Sequence, residues 1–236
     1  MRKSLTIVAV ADTKIIQTIN SLKISSKKIK YKRIVLLSSK EINHSHFFKG
    51  LRVIKIEPLK SLKDYNHFII YKLHNYIKTS HVLLVQWDGF IVNGNKWENK
   101  FLDYDYIGAP FIPRANDENY CRDINGAFYT IGNGGFSLRS KKLLEAPTKF
   151  KLKDNREFTN FNEDGFFSVF HRKFLESKGL IWAPFDIAKK FSIESPLATN
   201  ELKDLPLGFH GKKMYYLLII IKIINLKNFK FLKLIF

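Results

Sequence analysis

Four short polar segments interrupt an otherwise apolar sequence, and their side chains are of types that handle charged ligands. They are Val85–Phe90, Gly132–Arg139, Asn162–Phe167 and Gly208–Gly211. Between them they supply carboxylates, an imidazole and bare glycine backbone at points where strands or helices are predicted to end. Brought together, such groups would form a site for a phosphorylated ligand, with a divalent metal ion and a general base.

Asp88 directly follows a predicted buried strand. A carboxylate at such a position can coordinate a divalent cation that bridges diphosphate oxygens, because hard cations prefer oxygen ligands. An isolated Asp after a strand also fits a simple turn, in which its side chain accepts a hydrogen bond from a local amide. The sequence leaves both interpretations open.

The segment Gly132–Gly135 combines three glycines with Asn133. Glycine permits positive φ and lets the backbone approach a ligand closely, so Asn133, Gly134 and Gly135 are candidates for donor binding. The alternative is a hairpin turn, since Asn-Gly between strands is a common hairpin signal. No Gly-Lys-Ser/Thr follows, so a P-loop nucleotide site is unsupported.

The segment Asn162–Asp164 has the composition of a helix start, where an Asn cap and acidic residues in the first turn are favourable. Capping alone would explain it. In the functional interpretation, Asp164, or Glu163 in its place, projects into a cleft and removes a proton from an acceptor hydroxyl.

His210 lies between two glycines, Gly208 and Gly211, after a turn-rich stretch. An imidazole there could bind a metal ion or donate to a phosphate. A lone histidine is more often an ordinary surface or core residue, and that alternative stands beside the functional one.

The elements that must position these residues alternate between strands and helices, which predicts a largely parallel sheet. Strands are predicted at Leu5–Ala11, Arg33–Leu37, Leu51–Ile56, His81–Val85, Phe128–Ile131 and Phe136–Arg139, and helices at Ile15–Ile24, Ser61–Lys78 and Glu163–Lys178. Ligands of such sheets bind beyond the carboxyl ends of the strands, which is where Asp88 falls. Residues 113–126 are predicted to form a mobile surface loop.

Length and composition favour one α/β domain over residues 1–211 and a separate tail over residues 212–236. The net charge of +19 is uneven, since residues 1–80 carry 17 Lys/Arg against 4 Asp/Glu, residues 81–211 carry 17 against 17, and residues 212–236 carry 6 against none. The basic residues are scattered and accompany no nucleic-acid-binding motif, so nucleic acid is not an expected partner.

The mixture of apolar residues and lysines in the tail predicts a basic amphipathic helix that lies in a membrane interface. Its longest apolar run, Met214–Ile221, is too short to span a bilayer. A C-terminal helix docked on the domain is the alternative.

Cys121 is the single cysteine, so no disulfide framework is expected. A cytoplasmic location is therefore predicted, peripheral on the inner face of the membrane if the tail binds it.

These segments resemble the DUF5672 family, which is regarded as glycosyltransferase-like. The resemblance extends over residues 5–211 and is carried by Gln86–Asn93, Tyr104–Pro110, Gly132–Arg139, Glu163–Asp164, Phe191–Glu194 and Gly208–Gly211. Their order is also similar to that of the GT-A glycosyltransferase fold, a Rossmann-like α/β domain with a mostly parallel mixed sheet flanked by helices.

The resemblance implies a role for each segment. Asp88 takes the last place of a DxD motif that binds metal and nucleotide diphosphate, and Gly134 and Gly135 shape the donor-sugar pocket. Asp164 lies in the motif that supplies the base, and His210 matches the late histidine that completes the metal site. The chain departs from this pattern at Gln86, where an amide replaces the first carboxylate; Gln86 can hydrogen-bond the donor but brings no charge.

The resemblance thus implies an inverting, hexosyltransferase-type enzyme that uses a nucleoside-diphosphate sugar, most simply a UDP-sugar, and Mn²⁺ or Mg²⁺. Its acceptor would be a hydroxyl of a glycan or lipid-linked saccharide in surface polysaccharide biosynthesis. Two rival functions remain: a non-catalytic protein that binds nucleotide sugars or saccharides, and a basic membrane-interface protein whose acidic segments are only caps and turns.

Overall fold

In the computed structural model, residues 3–111, 121–123, 125–153, 162–194 and 204–226 are described, with side chains as far as Ile220. The predicted loop at 113–126 falls largely outside these ranges, and so does the tail beyond residue 226. No helix within them is long and apolar enough to cross a membrane.

A six-stranded mixed sheet forms the centre of the molecule. Its strands are β1 (Leu5–Val10), β2 (Arg33–Ser38), β3 (Leu51–Lys55), β4 (His81–Leu84), β5 (Tyr106–Ile107) and β6 (Ser137–Ser140). They lie in the order β3-β2-β1-β4-β6-β5. The first four are parallel, and β6 runs antiparallel between β4 and β5. The predicted mostly parallel α/β fold is confirmed.

The central strands are apolar along their whole length because both faces of the sheet are covered, as is usual for parallel sheets. Every residue of β1 and β4 is buried. Since side chains alternate between the faces of a strand, Ile7 belongs to one apolar cluster and Val8 to the other. A continuous hydrophobic run therefore predicted these strands correctly.

Helices cover both faces of the sheet. They are α1 (Ile15–Ser26), α2 (Leu62–Tyr71), α3 (Lys141–Lys149), α4, α5 (Phe185–Phe191) and α6 (Lys212–Leu226). Helix α4 is composite: an α-helical turn at Glu163–Gly165, a π-helical turn at Phe166–Phe170 and an α-helical segment at Arg172–Ser177. Short 3₁₀ turns lie at His44–His46, Leu73–Tyr76, Gly94–Lys96 and Asn99–Asp103.

One predicted helix is shorter than expected, and one helix was missed. The helix predicted over 61–78 ends at Tyr71 and is followed by a 3₁₀ turn, although its Ser61 cap is present and accepts from the Asp64 amide at 3.1 Å. Helix α3 was not predicted, because Pro147 lies inside it. Its start is fixed by Ser140, whose hydroxyl accepts from the Leu143 amide.

The glycine-rich segment is not a hairpin turn. Residues 128–131 form isolated bridges, Phe128 to Arg122 and Ile131 to Pro110, and β6 pairs instead with β4 and β5. The predicted strand at Phe128–Ile131 is therefore wrong. Because β6 inserts beside β4, the glycines that precede it are brought to the carboxyl end of β4.

A second, two-stranded sheet carries His210 to the same edge. It consists of β7 (Ser192–Ile193) and β8 (Gly208–Phe209), which pair in parallel. Gly208 also bridges to Ile91, which follows the exit of β4. Two-residue strands have no periodicity that a sequence could display, so this attachment was not predictable.

The order of the strands reverses between β1 and β4, and ligands of open α/β sheets bind at such a point. One side chain organises it. Asp12, which follows β1, accepts hydrogen bonds from the Ser39 amide at 2.7 Å, the Ser39 hydroxyl at 2.7 Å and the Leu59 amide at 2.8 Å. Burial raises the pKa of Asp12, but these donors outweigh burial and leave the pKa below its usual value. Asp12 thereby ties β1 to the loops that follow β2 and β3.

Asp12→Asn is expected to lower the free energy of unfolding at pH 7 by about 1–3 kcal/mol, because an amide cannot accept all these bonds. The wild-type carboxylate has a depressed folded pKa, so its stabilisation is present above the unfolded pKa of about 3.9 and is lost as the pH falls through the folded value. The variant should therefore lose less stability between pH 5 and pH 3 (roughly the titration range of Asp). Urea unfolding across this range measures both effects. The exposed Glu57→Gln serves as the control, and equal stability of Asp12→Asn and the control at pH 7 would contradict the assignment.

Candidate active site

A cavity of about 420 Å³ opens at the reversal point of the sheet. Its walls come from the end of β1 and the start of α1, from the loop and first turn of α2, and from the residues after β4. Asp12, Lys60, Tyr65, Gln86 and Trp87 are among the lining residues. The volume lies within the range of sites for small organic ligands.

Gln86 connects this cavity to the candidate metal residues. Its Nε2 donates to the Tyr65 hydroxyl at 2.9 Å, and its Oε1 lies 3.2 Å from His210 Nε2. Burial, followed by the negative charge of Glu163, raises the pKa of Tyr65, so the phenol stays protonated. The amide is thus held at both ends.

Asp88 lies in a tight turn after β4, closed by reciprocal hydrogen bonds between Gln86 and Gly89. The Asp88 carboxylate is buried, and its Oδ1 has no hydrogen-bond partner. The Asp88 carbonyl accepts from the Gly211 amide at 2.9 Å. The turn therefore packs directly against the His210 segment.

His210 is surrounded by acceptors. Its Nε2 lies 3.9 Å from Asp88 Oδ1, and its Nδ1 lies 3.6 Å from a Glu194 carboxylate oxygen. Burial lowers the pKa of His210, but Glu194, Asp88 and Asp164 together outweigh burial and raise it above the usual value. The imidazole is thus in a negative environment that also suits a cation.

Gly134 and Gly135 allow two groups to approach the same backbone from opposite sides. A Cβ on Gly135 would lie 2.0 Å from His210 Nε2, and one on Gly134 would lie 2.3 Å from Glu163 Oε1. Either contact is far inside van der Waals distance, so no larger residue fits without displacement. Asn133 supports the turn, since its Oδ1 accepts from the Gly135 amide at 3.2 Å.

Asp164 contacts the glycine segment from the side opposite His210. Its Oδ2 accepts from the Gly134 amide at 3.2 Å, and its Oδ1 accepts from the Gly165 amide at 2.7 Å. The neighbouring Glu163 is turned away to Arg139, whose Nη1 lies 2.7 Å from Glu163 Oε2. Both carboxylates are buried.

The donor atoms at Asp88 and His210 fit a divalent cation. A buried carboxylate oxygen without a hydrogen-bond partner lies 3.9 Å from an imidazole nitrogen. A carboxylate suits both Mn²⁺ and Mg²⁺, and the imidazole favours Mn²⁺ of the two because Mg²⁺ takes oxygen ligands. No group of three or more His, Cys, Asp or Glu side chains suited to a metal occurs among the residues the structure describes. A ligand such as diphosphate would have to supply further oxygens.

Several candidate site residues come from segments that are far apart in the sequence, and the structure brings them together. Gln86, Asp88, Gly135 and His210 are in direct contact, and Asp164 joins them through Gly134. The roles assigned to them, to Asn133 and to Glu163 stay predictions.

Sequence reasoning missed three residues. Glu194 is near His210 only because β7 pairs with β8, Arg139 pairs with a carboxylate across the fold, and Tyr65 lies one helical turn beyond the Ser61 cap. Arg139 and Glu194 end segments that the sequence singled out, Gly132–Arg139 and Phe191–Glu194, but no role was assigned to either side chain. Tyr65 lay in a predicted helix without a further signal.

The chain belongs to the DUF5672 family, described as "Protein of unknown function (DUF5672)", whose family model matches residues 50–210. This match confirms the resemblance noted in the sequence, over a shorter range than the one on which that resemblance was based. No curated protein matches the chain.

Among solved structures, the fold is similar to that of the galactosyltransferase LgtC in complex with donor and acceptor sugar analogues, with a TM-score of 0.51, 14% identity, and coverage of 88% of this chain and 87% of that one. For a structure of an LgtC active-site mutant, the TM-score is 0.49 and the sequence identity 15%, with the same coverage of the two chains. For the mannosyltransferase PcManGT from Pyrobaculum calidifontis, in complex with GDP-Man and Mn²⁺, the TM-score is 0.41 and the sequence identity 12%. The match covers 61% of this chain and 46% of that one. At these identities the first likeness establishes the GT-A-like fold and nothing finer.

The contact between Gly135 and His210 yields a test of the site geometry. Gly135→Ala is expected to destabilise the protein by about 1–3 kcal/mol, because the new methyl group overlaps the imidazole. His210→Ala in the same chain removes the overlapping atoms, so the double variant should be more stable than the sum of the two single effects by about 1 kcal/mol or more. Urea unfolding of the four proteins measures this coupling, and strict additivity would show that the two residues are not in contact.

Proposed function

We propose that this protein is a glycosyltransferase. It moves a sugar from a nucleoside-diphosphate sugar, a UDP-sugar in the simplest case, to a hydroxyl of a glycan or lipid-linked saccharide, with surface polysaccharide biosynthesis as its biological setting. The observation that carries the proposal is the meeting of Asp88, His210, Gly134 and Asp164 beside a cavity at the strand-order reversal of a GT-A-like sheet. The likeness to LgtC supports it at the level of the fold.

The nucleoside of the donor fits the cavity, where Tyr65 and Trp87 offer aromatic surface and Asp12 fixes the surrounding loops. The diphosphate then extends past Gln86 towards Asp88 and His210. Lys60, in the wall of the cavity, adds a positive charge near this path. Because Gln86 contributes no charge, basic side chains are needed to balance the diphosphate.

Asp88 and His210 would hold Mn²⁺ or Mg²⁺. When bound, such a cation neutralises the negative charge that develops on the leaving diphosphate. To bind the cation through its Nε2 lone pair, His210 would give up the hydrogen bond from Nε2 to Gln86 Oε1. Gln86 would stay oriented by the Tyr65 hydroxyl, to which its Nε2 donates.

Asp164 is the proposed base. Two backbone amides hold its carboxylate in one orientation. Asp164 takes the proton of the acceptor hydroxyl, the hydroxyl oxygen bonds to the anomeric carbon, and the bond from that carbon to the diphosphate breaks. In an inverting, hexosyltransferase-type reaction, this attack comes from the face opposite the leaving group.

Asp164→Asn is expected to lower the rate of sugar transfer by roughly 10²–10⁴-fold, since the amide cannot accept the proton. Donor affinity should stay within about threefold of wild type, because the residue does not bind the nucleotide. Release of nucleoside diphosphate from a panel of UDP- and GDP-sugars, with calorimetry for binding, measures both. The exposed Asp186→Asn is the control. Transfer by Asp164→Asn at the wild-type rate would exclude this base.

A non-catalytic nucleotide-sugar-binding protein is the second candidate function. It is favoured by Gln86, which replaces a charged ligand and is already engaged at both ends of its amide. Calorimetry that detects binding of a nucleotide sugar, with no turnover in the presence or absence of Mn²⁺, would decide for this candidate.

Helix α6 favours attachment to an anionic membrane. One face of α6 buries Met214 and Leu218 in a cluster that includes Ile24 of α1, so the helix is docked on the domain. The opposite face leaves Tyr216 and Ile220 56% and 52% exposed, and residues 212–236 contain six lysines and no acid. Exposed apolar residues beside lysines suit the interface of an anionic bilayer. The docked arrangement is thus observed for Met214 and Leu218, and contact of the opposite face with a membrane is the proposal.

The double variant Tyr216→Ser/Ile220→Ser is expected to bind vesicles containing phosphatidylglycerol about tenfold more weakly, because two partly inserted apolar side chains are lost. Transfer to a soluble acceptor should not change. Co-sedimentation with vesicles of defined composition measures binding. Ile181→Ser/Phe185→Ser, two comparably exposed residues elsewhere, is the matched control. Equal binding by the two double variants would contradict a role for this face.

A further inference from the structure

A charged pair lies in the interior of the molecule, directly behind the proposed base. The Arg139 side chain has no exposed surface, and its Nη1 lies 2.7 Å from the Glu163 carboxylate, which is 6% exposed. The guanidinium also faces the rings of Tyr106 and Phe167, with its central carbon 5.2 and 5.6 Å from their centroids. Buried ion pairs often stabilise a fold no better than apolar residues of the same size, so this pair calls for another explanation.

Arg139 also holds the backbone next to Asp164. Its Nη2 donates to the Gly134 carbonyl at 3.3 Å, and its Nε donates to the Ser137 hydroxyl at 3.0 Å. That hydroxyl donates to the same Gly134 carbonyl at 2.7 Å. The amide on the other side of Gly134 Cα in turn donates to Asp164 Oδ2. A single guanidinium therefore fixes the glycine that orients Asp164.

The same guanidinium fixes the residue that precedes Asp164 in the chain. Glu163 begins the first turn of α4, and its ion pair with Arg139 anchors that turn against β6. Asp164 is thus constrained twice, through the backbone of Glu163 and through the hydrogen bond from Gly134. These two constraints converge on one carboxylate from different parts of the chain.

We propose that Arg139 and Glu163 are positioning residues that hold Asp164 in the orientation required to deprotonate the acceptor. This inference rests on the proposed function, in which Asp164 is the base. Neither residue touches a reacting atom, and Glu163, engaged by Arg139, is not a second base. Since small displacements of a catalytic group strongly reduce rates, the pair acts on the rate of transfer rather than on donor binding.

The test replaces both charges at once. A single substitution would leave an unpaired buried charge, whereas Arg139→Met/Glu163→Met retains the apolar contacts of both stems and is expected to fold. Its kcat should fall at least about 100-fold, because Asp164 is no longer held. Its donor KM should stay within about threefold of wild type. The matched control is Lys141→Met/Glu145→Met, which removes an exposed ion pair of α3 and should leave kcat unchanged.

Amide hydrogen exchange provides a readout that does not depend on turnover. In the double variant, exchange at Gly134 and Gly165 should become faster than in wild type, because both amides donate to Asp164. Arg139→Lys keeps the positive charge but loses the planar set of N–H donors of the guanidinium. This variant is expected to fold, and its kcat should fall by a smaller factor, roughly tenfold. It serves in place of the double variant if that variant does not fold.

Two results would overturn the positioning role: wild-type kcat in the folded double variant, or unchanged exchange at Gly134 and Gly165. If wild-type protein neither binds a nucleoside diphosphate nor transfers any sugar, the proposed function fails instead. In that case the exchange measurement still decides whether Arg139 and Glu163 hold Asp164.

Discussion

The backbone of Gly134 and Gly135 passes between an imidazole and a pair of carboxylates with no room for a side chain. His210 lies against one glycine, and Glu163 and Asp164 lie against the other. This close approach requires β6 to insert antiparallel beside β4, and it requires the small sheet of β7 and β8 to bring His210 to the same edge. The juxtaposition of His210 with Asp164 depends on this contact.

The charges of the site fall into two groups. Arg139 and Glu163 form a buried pair in which the guanidinium offsets the carboxylate. In the second group, the buried Asp88 and the more exposed Glu194 lie on either side of His210, where a metal ion and a diphosphate could complete the charge balance. Gln86 joins the two regions of the pocket through uncharged hydrogen bonds. In the proposed donor site, these hydrogen bonds order the position at which the GT-A pattern has its first carboxylate.

The parts of the fold that the sequence predicted are those with a long local pattern. The apolar runs of β1 and β4 predicted the parallel sheet, and the position of Asp88 directly after such a run predicted its place at the carboxyl end of β4. Helix α3 was missed because Pro147 lies inside it, and the strand predicted at Phe128–Ile131 was wrong because its partners lie elsewhere. The pairing of Arg139 with Glu163 and of Gln86 with Tyr65 depends on tertiary contacts between distant segments, which no local spacing reports.

The segments that carry Asp88, Gly134, Asp164 and His210 are proposed to form one donor site. This proposal can be tested with a crystal structure of the protein soaked with UDP or GDP and Mn²⁺, with anomalous scattering recorded for manganese. A manganese peak is expected within coordination distance of Asp88 and His210, with the diphosphate beside it and the nucleoside in the cavity next to Tyr65. Manganese and nucleotide bound away from these residues, or no binding at concentrations that saturate known transferases, would contradict it.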